Sequence, residues 1–224
     1  MKAKKIIFTA SCLVALALFA AHEALLNFRP ESSAVRNAIK FLISSIPFAL
    51  CASTLKKEKS ALNFFITLGL FACCLGDLCI NIVFILSICI YLVGHSFFIK
   101  SFFSCKKPGA FHFALWGILL SAICAALLFL DISAIQKIEG IVYSTFMCAM
   151  VAFSFCAPPL IRAGGIIFGI SDILLMVNIV IKVEDGPLHI IALGIYYVGV
   201  FLMAANLYLQ KATSPKEMQE RPAD

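Results

Sequence analysis

The stretch from Ala61 to Asn81 reads ALNFFITLGLFACCLGDLCIN. It holds a single charged residue, Asp77, and shows no alternation of apolar and polar positions. A helix needs about 20 mostly apolar residues to cross roughly 30 Å of hydrocarbon, and this run has that length. A barrel strand would alternate with a period of two, so a strand is excluded here. A second such run, 83–103, follows almost at once, and the pair is predicted to form an antiparallel hairpin turning at Asn81. Outward from this hairpin the same pattern recurs at 6–26, 39–55, 111–130, 138–157, 162–181 and 189–209. The segment 39–55 is the shortest, and Pro47 inside it is predicted to kink the helix.

Composition agrees. Of 224 residues, 62% are hydrophobic and 13% are charged, whereas a soluble domain has roughly 45–50% and about 25%. Such a chain has too little charge to cover a soluble globule, and too much apolar surface to stay disordered. Ten Cys are present, but most lie inside apolar runs, which excludes a disulfide-stapled scaffold. The net charge of +6 is scattered between hydrophobic blocks, which argues against a nucleic-acid partner. The reading is all-α: a polytopic transmembrane helical bundle of about eight spans, with 1–210 as one domain and 211–224 as a polar cytoplasmic tail. The lipid bilayer is its first partner.

Basic residues give the orientation. With the N-terminus inside, 13 Lys and Arg fall on the inner face and 5 on the outer, so both termini are predicted to be cytoplasmic. Lys2, Lys4 and Lys5 before an apolar run also fit a signal peptide cleaved near Ala15-Leu16-Ala17, which would leave seven spans.

A carboxylate at the bilayer centre costs at least about 2.5–3.5 kcal/mol, so each one inside a span is a functional hypothesis. Two qualify, Asp77 and Asp172; Asp131, Glu139, Glu184 and Asp185 fall at span ends. Gly165, Gly169 and Asp172 share one helical stripe, and the two Gly form a small-xxx-small pair that admits a neighbouring helix. Asp77 shares a face with Cys73, Cys74 and Asn81, and His95 has Tyr91 one turn before it. At 1.5 Å per residue, Asp77, His95 and Asp172 lie about 8, 18 and 15 Å below the outer surface, depths that one pocket can span. Each residue also has a plainer reading: Asp as a helix cap or ion-pair partner, His95 as a satisfied core residue, Tyr196 and Tyr197 as interfacial aromatics. The His are scattered at 22, 95, 112 and 189, with no HxxxH, HExxH or CxxC spacing, so no metal or other cofactor is expected.

Three motifs, in order, carry a resemblance: Leu75-Gly76-Asp77-Leu78, Gly94-His95-Ser96-Phe97-Phe98-Ile99, and Gly165-Ile166-Ile167-Phe168-Gly169-Ile170-Ser171-Asp172. They resemble the GD, aHxxY-like and FxxSD patterns of the YhhN-type membrane proteins, which include the lysoplasmalogenases. The segment Tyr143 to Met147 is similar to that family's sixth-span Tyr…Met segment, and Tyr196-Tyr197 to its last-span Tyr pair. Lys40 opens the second span where the family usually has Lys-Pro, but Phe41 follows it; Val200 stands where the last span usually has Gln; and Phe98 stands where a Tyr is common.

The resemblance implies a membrane hydrolase, in a bacterial inner or eukaryotic internal membrane, that cleaves the vinyl ether of a lysophospholipid to a fatty aldehyde and a glycerophospho-base. That chemistry needs a proton delivered to carbon and an oxocarbenium ion stabilised. A protonated and an ionised carboxyl group meet both needs, and neighbouring carboxyls in a dry site divide in that way. Asp77 and Asp172 are the implied acid–base pair. His95, Tyr143, Tyr196, Tyr197, Lys40 and Asn81 would orient water, the carboxyls or the head group. The competing reading is a non-catalytic lipid-binding protein or a proton-coupled transporter in which the two Asp form a relay.

Overall fold

The computed structural model describes residues 2–28, 33–56, 59–180 and 186–209. Among them are eight helices, each long and apolar enough to cross a membrane, and no strand. They are α1 (Lys2–Phe28), α2 (Ser33–Leu55), α3 (Ala61–Cys79), α4 (Phe84–Phe103), α5 (Ala110–Phe129), α6 (Ala134–Phe153), α7 (Pro159–Val180) and α8 (Pro187–Leu209). A single 3₁₀ turn, Ser154–Cys156, continues α6. The tail 211–224 lies outside the described residues, as do Arg29, Lys57, Lys182, Glu184 and Asp185.

Several helices begin earlier than hydropathy predicts, because polar groups extend them beyond the apolar run. Ser133 caps α6: its hydroxyl accepts from the Gln136 N–H at 3.3 Å, and the Gln136 side chain accepts from the Ser133 N–H at 3.0 Å. This reciprocal arrangement satisfies two N–H groups that a helix start otherwise leaves bare. α7 opens on Pro159, a position where a missing N–H costs nothing. α2 starts at Ser33, not near residue 39, and runs through Pro47 as one helix. It is therefore of full spanning length.

The predicted hairpin is present. α3 ends at Cys79, whose carbonyl accepts from the N–H groups of Ile82 and Val83, both at 2.9 Å. The two helices then pack face to face. A Cβ placed on Gly76 would lie 2.8 Å from the Tyr91 ring, and one on Gly69 would run into the Phe98 ring. α7 and α8 approach still more closely, backbone to backbone: a Cβ on Gly164 would lie 2.7 Å from the Gly199 carbonyl oxygen. The predicted pair Gly165 and Gly169 serves a different neighbour, with Ser154 and Val151 packed against them from the α6 side.

α3, α4, α7 and α8 with α2 and α6 surround a core that includes Phe98, Phe102, Phe168, Met147, Met150 and Met203, each at most 1% exposed. α5 stands outside this core. Leu127 is its one buried residue, and Phe111, Phe113, Ile118, Leu128 and Phe129 are exposed, as suits a lipid-facing helix.

Candidate active site

Both intramembrane carboxylates are buried, Asp77 at 2% and Asp172 at 5% exposure. Asp77 is enclosed by donors from three other helices. Ser44 of α2 donates to its Oδ2, Tyr91 of α4 donates to its Oδ1, and the Tyr196 hydroxyl of α8 donates to Oδ2 at 3.2 Å. Lys40, buried one turn before Ser44, interacts electrostatically with the same carboxylate. Three hydrogen bonds to a charged group, at about 1.5–3 kcal/mol each, match or exceed the insertion cost of one carboxylate.

Asp172 has a different setting. Its Oδ2 lies 3.1 Å from His95 Nε2 and accepts from the Tyr143 hydroxyl at 3.0 Å. His95 Nδ1 lies 2.7 Å from the Tyr91 carbonyl oxygen. A carbonyl can only accept, so the Nδ1 proton is committed there. That leaves Nε2 to face Asp172 Oδ2, so an imidazole and a carboxyl group meet across this contact.

The two settings are joined. Tyr91 contacts Asp77 with its hydroxyl and His95 with its carbonyl, so two residues one turn apart on α4 link both acids. Cys73, 1% exposed, is buried on α3 one turn before Asp77. Phe168 stands edge-on to His95 at 5.3 Å and to Tyr196 at 5.1 Å, and forms an apolar wall beside both. The FxxSD motif thereby divides its work. Phe168 is the wall, Ser171 ties α7 to α8 by donating to the Ala192 carbonyl at 2.8 Å, and Asp172 carries the charge. The GD motif divides similarly: Gly76 makes room for the Tyr91 ring, and its carbonyl accepts from Ser87 of α4 at 2.9 Å.

Asp77, Asp172, His95, Tyr143, Tyr196 and Lys40 thus meet in one network. Tyr196 and Tyr197 are buried, 3% and 6% exposed, and so are not aromatics of the membrane surface. Asn81 is in the hairpin turn, as expected, but not on the helical face of Asp77. The helix ends before it, so it does not lie one turn beyond Asp77 on the same face; it donates from the turn to Asn37 Oδ1 at 2.6 Å. Asn37 in turn donates to the Leu78 carbonyl at 3.0 Å, which joins α2 to the end of α3. Sequence reasoning missed Ser44, and it named Tyr91 beside His95 without its bond to Asp77. Their spacing was available, since Ser44 follows Lys40 by four and Tyr91 precedes His95 by four. Among the described residues no three His, Cys, Asp or Glu side chains gather as a metal-ion site. A groove of about 330 Å³ lined by Leu55, Lys59, Phe64 and Phe65 opens at the opposite end of α2 and α3, away from the carboxylates.

Fold and site together define a polytopic helical membrane protein with a buried pair of acids joined through α4. The YhhN family model matches residues 4–207, nearly the whole chain, and the protein belongs to the YhhN family. No curated protein and no solved structure matches the chain.

Proposed function

We propose that the protein is a lysoplasmalogenase-like ether hydrolase, acting on the vinyl ether of a lysoplasmalogen. The observation that carries this reading is the contrast between its two linked carboxyl groups, one ringed by hydroxyl donors and one in contact with a histidine ring nitrogen. Membership of the YhhN family supports it.

The reaction consumes one water. The proton held between Asp172 and His95 passes to the β-carbon of the vinyl group, and the double-bond electrons leave an oxocarbenium ion at the α-carbon. Asp77, an acceptor among donors, faces that cation and takes a proton from the water that adds to it. The resulting hemiacetal collapses: its hydroxyl proton passes to the Asp172–His95 pair, the carbon–oxygen bond to glycerol breaks, and the glycerol oxygen takes the proton that Asp77 gained, which returns both acids to their starting states. A fatty aldehyde and a glycerophospho-base leave. Glycosidases also divide work between two carboxyl groups around an oxocarbenium-like state, a parallel in chemistry alone. No step calls for a cofactor.

The single alkenyl chain of such a substrate is soluble among the apolar side chains of the bundle, which explains why a buried polar network suits a membrane lipid. Purified protein incubated with lysoplasmalogen is expected to release fatty aldehyde; absence of aldehyde overturns the reading. The orientation is also a proposal. A reporter fused after Gln210 is expected to read as cytoplasmic, following the 13-to-5 division of basic residues, and an external signal reverses it.

A further inference from the structure

The end of the bundle opposite the carboxylates carries a groove that the proposed reaction does not use. Its volume is about 330 Å³, and Leu55, Lys59, Ser60, Ala61, Phe64 and Phe65 line it. That volume falls at the lower end of small-ligand sites, about 300–1,000 Å³. The lining changes character with depth. Lys59 and Ser60 are exposed and precede the span Ala61–Cys79. Phe64, 49% exposed, and Phe65 lie about one turn inside that span. The last turn of the antiparallel α4 comes beside the first turn of α3 and brings Lys100, whose Nζ stands 4.5 Å from the centre of the Phe65 ring. Phe65 is itself fixed, edge-on to Phe64 at 5.3 Å and stacked with Phe97 at 6.3 Å. Two ammonium groups thus border an aromatic floor, and none of the lining residues is acidic. The start of α3 adds positive potential of its own. Its cap, Ser60, accepts from the Asn63 N–H at 3.1 Å, and a hydroxyl that accepts there still has a proton to donate.

We propose that this groove binds an anionic phospholipid of the surrounding bilayer, with its phosphate beside Lys59, Lys100 and Ser60 and an acyl chain along Phe64 and Phe65. Charge complementarity argues for the head group, and the depth of the floor argues for the chain. A soluble anion would match the lysines and leave two aromatic rings inside the span without a partner. A zwitterionic lipid would bring its own cation against Lys59 and Lys100. By the 13-to-5 division of basic residues this end faces the cytoplasm, whose leaflet carries anionic lipid that attracts lysines close to the surface. The site is separate from the carboxylates, so the proposal does not depend on the hydrolase reading.

The test adds phosphatidylglycerol or phosphatidylcholine to purified protein in a neutral detergent, and follows bound lipid by native mass spectrometry and stability by the unfolding temperature. Phosphatidylglycerol is expected to bind at least about 10-fold more tightly than phosphatidylcholine and to raise the unfolding temperature, as a ligand of the folded state does. The double variant Lys59→Gln/Lys100→Gln is expected to weaken phosphatidylglycerol binding by about 5-fold per lysine. The control Lys106→Gln/Lys107→Gln removes two exposed charges from the same end of the bundle outside the groove, and is expected to keep the wild-type affinity. Equal binding of the two lipids by wild-type protein overturns the proposal. So does an equal loss in the two double variants, which would assign the attraction to the charge of the whole face. A rise in unfolding temperature as large with inorganic phosphate as with phosphatidylglycerol overturns the lipid as the occupant.

Discussion

Asp77 and Asp172 are chemically identical and equally buried, yet their surroundings differ in kind. Around Asp77 are three hydroxyl donors and a lysine, drawn from α2, α4 and α8. Around Asp172 are a histidine and one tyrosine, from α4 and α6. An acceptor-only group fits the first setting, and a group that shares a proton fits the second. The helices, and not the acids, therefore set the two environments apart. Both settings use α4, where Tyr91 and His95 stand one turn apart.

The largest effect is expected from removing either acid. Asp77→Asn and Asp172→Asn keep the shape but not the proton chemistry, and each should lower the rate of aldehyde release by at least about 10²-fold. The double mutant should be little worse than the poorer single, because groups acting as a unit are not additive. Folded Asn variants that retain the rate would remove the basis of the comparison. A smaller loss, about 10-fold or more, is expected for His95→Gln, which has no second ring nitrogen to bridge the Tyr91 carbonyl and Asp172. Tyr143→Phe should cost less still, since the His95 contact remains; equal losses for the two would show that Asp172 needs a donor of any kind and not the imidazole.

Gly76→Ala tests whether packing holds the two settings together. The new methyl would lie 2.8 Å from the Tyr91 ring, so the ring must shift away from Asp77. Overpacking of this kind costs about 1–3 kcal/mol, readable as a lower unfolding temperature in detergent, together with a lower rate. Gly164→Ala meets backbone at 2.7 Å and should destabilise at least as much; a Gly76→Ala loss of rate at unchanged stability would instead point to Tyr91 alone. The smallest expected effect is that of a chelator. Prolonged dialysis against one should leave the rate unchanged, and a loss restored by zinc would overturn the metal-free scheme.

The spans were legible because a run of 20 apolar residues has few alternatives in water or lipid. Their starts were less so, because a cap such as Ser133 with Gln136 acts outside the apolar run. The two acids were legible by their cost. Their hydroxyl partners were not, and Ser44 shows the reason. Its neighbour Ser45 donates to the Leu42 carbonyl of its own helix at 2.7 Å, as Ser96 does to Leu92 and Ser101 to Phe98. A serine can satisfy itself in any helix, so the sequence gives no sign of which one reaches across to Asp77. Tyr91 was legible one turn before His95, but its bond to Asp77 was not, since a tyrosine in an apolar run needs no explanation beyond packing. Asn81 was legible as the turn of the hairpin, but its face was extrapolated one helical turn past the helix end, so its partner Asn37 was not.

The order of the partners along the chain bears on how the protein is made. Lys40 and Ser44 precede Asp77, and His95 and Tyr143 both precede Asp172. Synthesis runs from the N-terminus, so each acid emerges after groups that can receive it. The α3–α4 hairpin adds Tyr91 to Asp77 within one closely packed pair of helices. Neither acid then has to enter lipid as the lone charge of an isolated helix, and membrane insertion can proceed pair by pair with the polar network assembling as it goes.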